Sequence, residues 1–99
     1  MSERLGKVVL AGREKAGLSL RTLGRRIGVS SGYLSRVESA QASPSDRALR
    51  SLARVLGTDV DVMFAEAGRL PDDVTRYLAR HPLLIMRVVR IVREAMVRS

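Results

Sequence analysis

The 99-residue sequence contains no cysteine and a single histidine, His81. The absence of cysteine excludes disulfide bonds, thiol chemistry and cysteine zinc sites. His81 has no second histidine with which to share a metal ion, so we predict no metal site. The serines lack a His/Asp companion and no phosphate-loop motif is present, so we expect no catalytic residues, no cofactor and no enzymatic activity.

Long uncharged apolar runs are also missing. No stretch of about 18 uncharged apolar residues occurs, so the sequence predicts no membrane-spanning helix. Charges interrupt the short apolar run near the N-terminus, so no signal peptide is predicted. We therefore expect a cytoplasmic protein.

Positive charge, in contrast, is abundant. Eighteen Lys and Arg residues against 10 Asp and Glu give a net charge of +8. This balance favours a polyanionic partner, namely DNA, RNA or an acidic membrane surface. A chain of this length forms one domain with room for a short appendage, and its modest core would gain stability from dimerisation.

Residues 18–38 predict two short helices joined by a tight turn. Ser19 and Ser30 are placed as N-caps, where a side-chain oxygen accepts a hydrogen bond from a backbone N–H one turn in. Gly28 ends the first helix, since glycine readily adopts the left-handed conformation of many helix exits. The residues predicted to face the core are Leu20, Leu23, Ile27, Val29, Leu34 and Val37.

The outer face of the second of these helices carries small residues, hydrogen-bonding residues and one long cation. These are Ser31, Gly32, Tyr33, Ser35 and Arg36. A helix in the major groove of DNA needs little bulk near its backbone, donors for base edges and positive charge for phosphates. Arg36 is the main candidate for base reading, because a guanidinium can donate two hydrogen bonds to guanine O6 and N7. A phosphate contact or a salt bridge to Glu38 is its alternative role.

This segment resembles the helix-turn-helix of the Cro/C1-type (Xre) family of bacterial and phage regulators. The family signature stands here as Leu18-Ser19, Gly28-Val29-Ser30 and Tyr33-Leu34-Ser35-Arg36-Val37-Glu38. The resemblance extends from about Leu5 to Phe64. It implies an all-α fold, with a five-helix lambda-repressor-like DNA-binding domain over residues 1–68. A helical hairpin that only packs is the alternative.

The resemblance also implies which elements approach DNA: the start of the second helix, the recognition helix over Ser31–Ser39 and the loop 40–44. The predicted DNA-binding residues are Ser19, Arg21, Arg25, Ser30, Ser31, Gly32, Tyr33, Ser35, Arg36, Gln41, Ser43 and Arg47. Solvated surface is the alternative for Arg25. Glu38 is expected to be a structural partner, since phosphate repels a carboxylate.

Two positions depart from the family pattern. Many relatives have a glutamine where this chain has Leu20, which can contact a thymine methyl or only pack. Relatives usually have glycine after Glu38, whereas Ser39 and Ala40 follow it here. We therefore expect the exit turn of the recognition helix to differ in shape.

The remaining helices of this domain are predicted from caps and apolar spacing. The first helix is predicted from Ser2 to about Ala16, with Leu5, Val9, Gly12 and Ala16 on one face. Ser45 and Asp59 are predicted to cap the fourth and fifth helices. Phe64, the only phenylalanine, is predicted to close the core.

Residues 69–99 predict two further helices, the second from Pro82 to about Arg98. Its polar stripe is narrow, and a helix this apolar must be covered. A second copy of the chain is the simplest cover, and packing within one chain is the alternative. The predicted dimerisation residues are Leu84, Ile85, Val88, Val89, Ile91, Val92 and Met96.

These patterns favour a homodimeric regulator that binds an inverted-repeat operator in double-stranded DNA, and the family resemblance implies that it is a repressor. The alternative from another class is an antitoxin-type protein whose apolar last helix covers a toxin or another unknown partner. Binding of the last helix to a membrane surface ranks last, because its apolar arc is too wide and its arginine stripe too narrow for an interfacial helix.

Overall fold

The computed structural model describes residues 3–99, in which there are seven α-helices and no β-strand. The predicted all-α class is thus confirmed, and the predicted helix start at Ser2 lies outside the described residues. The chain divides into two compact units, Met1–Arg69 and Leu70–Ser99. The helices are α1 (Glu3–Lys15), α2 (Leu20–Ile27), α3 (Ser31–Glu38), α4 (Asp46–Leu56), α5 (Val60–Glu66), α6 (Asp72–Ala79) and α7 (Pro82–Arg98).

Side-chain caps fix the beginnings of four helices. The Oγ atoms of Ser19 and Ser30 each accept a hydrogen bond, at 3.0 Å, from the backbone N–H three residues further on. Ser45 and Asp59 cap α4 and α5 in the same manner. Such a cap is worth about 1 kcal/mol relative to alanine. All four caps confirm the sequence predictions.

Glycine residues end two of the helices, α2 and α4. Gly28 and Gly57 terminate α2 and α4 with left-handed φ values of 79° and 68°. The α3 helix ends at Glu38, one residue before the predicted end. Placing Ala16 on the inner face of α1 was wrong, because α1 ends at Lys15 and Ala16 is exposed in the turn that follows.

One hydrophobic core holds the first unit together. It includes residues from each of the helices α1 to α5, and Phe64 is fully buried within it, as predicted. The core residues are Leu5, Val9, Leu23, Leu34, Val37, Leu49, Leu52, Ala53, Met63 and Phe64. The core fixes α2 and α3 from behind, so their outer faces are left to solvent.

The second unit is a hairpin of α6 and α7. Pro82 occupies the first turn of α7, where a missing N–H costs nothing. At the bend, the His81 ring stacks on the Tyr77 ring with centroids 4.0 Å apart. Neither α6 nor α7 contains a buried residue.

Candidate nucleic-acid interface

The turn between α2 and α3 depends on a close backbone approach at Gly24. A Cβ at this position would lie 2.5 Å from the Val29 carbonyl oxygen, so only glycine fits. Val29 and Leu20 are partly buried and pack against the core. Leu20 therefore packs, which is one of its two predicted roles. The geometry sets the angle at which α3 leaves α2.

The exposed surface of α3 is the one that the sequence predicts. Ser31, Gly32, Ser35 and Arg36 are exposed, and Tyr33 is half-buried. Leu34 and Val37 face the core on the opposite side. The outer face therefore presents small side chains, hydroxyl groups and one guanidinium.

The Arg36 guanidinium lies back along α3, although Arg36 belongs to the last turn of the helix. Its carbon Cζ is 6.0 Å from the centroid of the Tyr33 ring. One of its terminal nitrogens, Nη1, lies 3.7 Å from the point where a Cβ of residue 32 would stand. Arg36 therefore does not form the predicted alternative salt bridge to Glu38, whose carboxylate has another partner.

That partner is Arg13, in the last turn of α1. Its Nε donates a hydrogen bond to Glu38 Oε2 at 2.7 Å, and its Nη2 donates to Oε1 at 3.1 Å. A third donor, Nη1, bonds the Leu18 carbonyl oxygen at 3.0 Å. The Glu38 hydrogen bond raises the pKa of Arg13 above its ordinary value, although burial acts in the opposite direction. The predicted structural role of Glu38 is confirmed, whereas Arg13 was not predicted.

A second close approach brings α1 against the end of α3. A Cβ at Gly6 would lie 2.5 Å from the Glu38 carbonyl oxygen and 3.0 Å from that of Val37. The need for glycine at position 6 was not predicted either. The carbonyl groups that approach it belong to α3, and no local pattern in the sequence of α1 indicates this contact. Gly6 and Arg13 thus hold the C-terminal end of the recognition helix from the same side.

The loop after α3 is tied back to the helix. The amide N–H groups of Gln41 and Ala42 both donate to the Arg36 carbonyl oxygen, at 2.6 Å and 3.1 Å. The Tyr33 hydroxyl donates to the Ser43 carbonyl oxygen at 3.4 Å. The side chains of Gln41 and Ser43 are exposed. Loop and helix therefore form one continuous surface.

Ala40 begins this loop in the left-handed region, with φ of 63°. Glycine adopts this conformation without a steric penalty, whereas the residue here is alanine. We expect Ala40→Gly to raise the free energy of unfolding by about 0.5–1 kcal/mol, because it relieves the Cβ clash of that conformation. Urea unfolding measures this difference.

The matched control is Ala42→Gly in the same loop. Ala40 is the only non-glycine residue with positive φ in the described part of the chain, so Ala42 has no such strain. This variant is expected to lose stability, because glycine adds freedom to the unfolded chain and removes a methyl group that packs against the core. Equal losses in both variants would show that the Ala40 conformation is not strained.

The remaining predicted contacts lie on α2 and α4. Arg21 and Arg25 are exposed, and their i, i+4 spacing places them on one face of α2. Arg47 is exposed in the first turn of α4. The Ser19 hydroxyl already forms two hydrogen bonds. It accepts one from the Thr22 backbone N–H and donates one to Thr22 Oγ1, both at 3.0 Å. A phosphate at the start of α2 would thus meet backbone N–H groups rather than this hydroxyl.

Within residues 3–99, no helix has the length and apolar character that are needed to cross a membrane.

A family model described as a helix-turn-helix domain matches residues 4–67. An uncharacterised HTH-type transcriptional regulator of Mycobacterium tuberculosis is 37% identical over 70 residues, which are 71% of this chain and 50% of the relative. The chain therefore spans about half the length of the curated relatives it matches.

Two solved structures are similar in fold and sequence. The clp gene regulator ClgR from Corynebacterium glutamicum is 30% identical with a TM-score of 0.60, over 85% of this chain and 86% of that one. The P22 c2 repressor, solved in complex with a synthetic operator, is 27% identical with a TM-score of 0.57. That similarity covers 60% of this chain and 89% of the repressor chain.

Proposed function

Because the chain belongs to the Cro/C1-type (Xre) helix-turn-helix family of transcriptional regulators, we propose that it is a sequence-specific double-stranded-DNA-binding repressor that acts as a homodimer. The observation that carries this proposal is the outer face of α3. It is a capped helix, held from behind by the core, that exposes small residues and one guanidinium. These properties suit a helix that enters the major groove.

Contacts with DNA divide into base reading and phosphate binding. On α3, Arg36 reads guanine, and the neighbouring serines donate to base edges or the backbone. Arg21, Arg25 and Arg47 bind phosphates, together with Gln41 and Ser43 of the exposed loop. Since phosphate contacts release counterions, we expect affinity to fall steeply as salt rises.

The homodimer is proposed from the second unit. Among the exposed large apolar side chains of this unit, the exposed fraction ranges from 37% for Val88 to 84% for Val97, both on α7. Of the predicted dimerisation residues, Leu84 is half-buried and the others are exposed, namely Ile85, Val88, Val89, Ile91, Val92 and Met96. A surface this apolar on a soluble chain is usually covered by a partner.

The seam of that dimer is assigned to one stripe of α7. Ile85, Val89, Val92 and Met96 follow one another at spacings of four, three and four residues. This is the repeat with which two helices pack side by side. A two-fold axis through the seam would present two copies of α3 to successive major grooves, about 34 Å apart, so the operator is an inverted repeat.

Repression is proposed rather than activation, and it is supported by the similarity to the P22 c2 repressor. The same exposed α7 surface favours a second candidate function, in which the chain is an antitoxin-type DNA-binding protein. In that case α7 would cover a toxin or another protein instead of a second copy.

Light scattering on the purified protein, followed by selection of bound genomic fragments, tests the proposal. We expect a stable dimer that enriches fragments with an inverted repeat. A monomer or an aggregate that binds all DNA equally would contradict the homodimeric repressor. Purification together with a neighbouring gene product would then identify the partner of α7.

Arg36→Ala is expected to weaken binding to the selected operator by about 1–3 kcal/mol and to flatten the preference among sequences. The reason is the loss of a bidentate contact to one base. Fluorescence anisotropy on the operator and on random DNA measures both effects. The matched control is Arg54→Ala, which removes the same charge from an exposed position of α4. It should change the sequence preference and the affinity for the operator less than Arg36→Ala does. Equal losses on both DNAs for Arg36→Ala would make it a phosphate contact.

A further inference from the structure

The direction of the Arg36 side chain is set by the two residues one turn before it. Side chains of a helix lean toward its N-terminus, so residue 36 meets residues 32 and 33. The guanidinium stands over the Tyr33 ring at 6.0 Å, and beside the empty space at Gly32. Any long side chain at position 32 would compete for that space.

The Tyr33 ring is itself held in place. It is half-buried and packs against the core, while its hydroxyl donates to the Ser43 carbonyl oxygen. A cation over an aromatic face is attracted by the negative charge of the ring face. A ring that is fixed from two sides can therefore limit the directions available to a flexible arginine.

The base edges are read mainly by the N-terminal part of a recognition helix. Arg36 belongs to the last turn of α3, and only by lying back along the helix does its guanidinium approach that part. We propose that Tyr33 is a positioning residue, and Gly32 a specificity-determining gap, which together direct the Arg36 guanidinium toward the bases. This inference rests on the proposed function, in which Arg36 reads a base.

The experiment measures binding to the selected operator and to all of its single-base-pair variants. The proteins compared are the wild type, Tyr33→Leu and Tyr33→Phe, each with Arg36 or with Arg36→Ala. Tyr33→Leu is expected to reduce discrimination about two- to fivefold at the base pair that Arg36→Ala affects, as the strength of an exposed cation–π contact implies. Tyr33→Phe retains the ring and its packing but loses the hydroxyl that bonds the Ser43 carbonyl oxygen, so it is expected to lose less of that discrimination than Tyr33→Leu. With Arg36→Ala present, Tyr33→Leu should cause no further loss.

A second pair of variants, at Gly32, tests the contact between Arg36 and the Tyr33 ring without changing a residue that packs against the core. Gly32→Met fills the space beside the ring and is expected to lower discrimination at the same base pair. Gly32→Ala is the matched control, because its Cβ would make only an ordinary contact at 3.7 Å. The pair keeps the inference testable even if Tyr33→Leu lowers the stability of the domain.

Two results would overturn the positioning role. One is full discrimination in both Tyr33→Leu and Gly32→Met. The other is a uniform loss of affinity on all sequences in Tyr33→Phe and Tyr33→Leu alike, which would make the Tyr33 hydroxyl a phosphate contact. A wild-type protein that prefers no sequence would instead refute the proposed function itself.

Discussion

Replacing Arg13 with glutamine is expected to lower the free energy of unfolding by about 3 kcal/mol. The side chains of Arg13 and Glu38 are only 16% and 9% exposed, and two hydrogen bonds join them. Removal of the cation leaves the Glu38 carboxylate desolvated and unpaired, which is the costly way to break an ion pair. The Leu18 carbonyl oxygen loses its donor at the same time.

Arg13 does more than pair with one carboxylate, because its side chain joins three segments of the chain. It links the end of α1, the chain just before α2 and the end of α3. We therefore expect Arg13→Gln also to weaken operator binding under conditions in which the variant is still folded. Urea unfolding followed by circular dichroism measures the stability, and anisotropy measures the binding.

An exposed ion pair of the same helix supplies the control. Arg4 Nε lies 3.4 Å from Glu66 Oε2, with side-chain exposures of 70% and 31%. Such surface pairs contribute about 0–1 kcal/mol, so Arg4→Gln should change stability little. If Arg13→Gln behaves like Arg4→Gln, the pair at the end of α3 contributes no more than a surface contact.

Replacing Val89 with aspartate is expected to raise the dissociation constant of the proposed homodimer by roughly a hundredfold or more. Val89 lies in the middle of the proposed seam and is 39% exposed in the single chain. An aspartate there would bring two carboxylates close to the two-fold axis in a dry interface, without partners. Light scattering over a range of concentrations measures the change, and an inverted-repeat operator should then bind little better than one half-site.

The chain offers a matched control on the same helix. Leu83 shares the polar stripe of α7 with Arg87, Arg90 and Glu94, at spacings of four, three and four residues. Leu83→Asp also replaces an aliphatic side chain with a carboxylate, but outside the seam. We expect it to remain dimeric. A Val89→Asp protein that elutes as the wild-type dimer would place the interface elsewhere.

The elements that local chemistry determines were predictable from the sequence. Ser19, Ser30, Ser45 and Asp59 cap helices because each side chain bonds a backbone group within three residues. Phe64 was predictable as a core residue because only the hydrophobic core of so small a chain can bury a ring of that size. The outer face of α3 followed from the same periodicity that identified its inner face.

What could not be predicted depends on residues that are distant in the chain. Arg13 and Glu38 are 25 residues apart, and only the packing of α1 on α3 shows that they meet. Gly6 is a glycine because of a carbonyl group at the far end of α3, which no local pattern marks. The direction of Arg36 also escaped prediction, since spacing places a side chain on a face without fixing its rotamer.

The hairpin of α6 and α7 makes the folding of the second unit depend on the concentration of the protein, if a second copy covers it. Peptides below about 40 residues rarely stay folded without a partner, and this hairpin has no buried residue of its own. If a second copy supplies the missing core, helix content in Leu70–Ser99 will rise with protein concentration. Dilute protein would then hold its operator by one half-site at a time. Under the proposed function, the protein concentration would then set a threshold below which the operator is released.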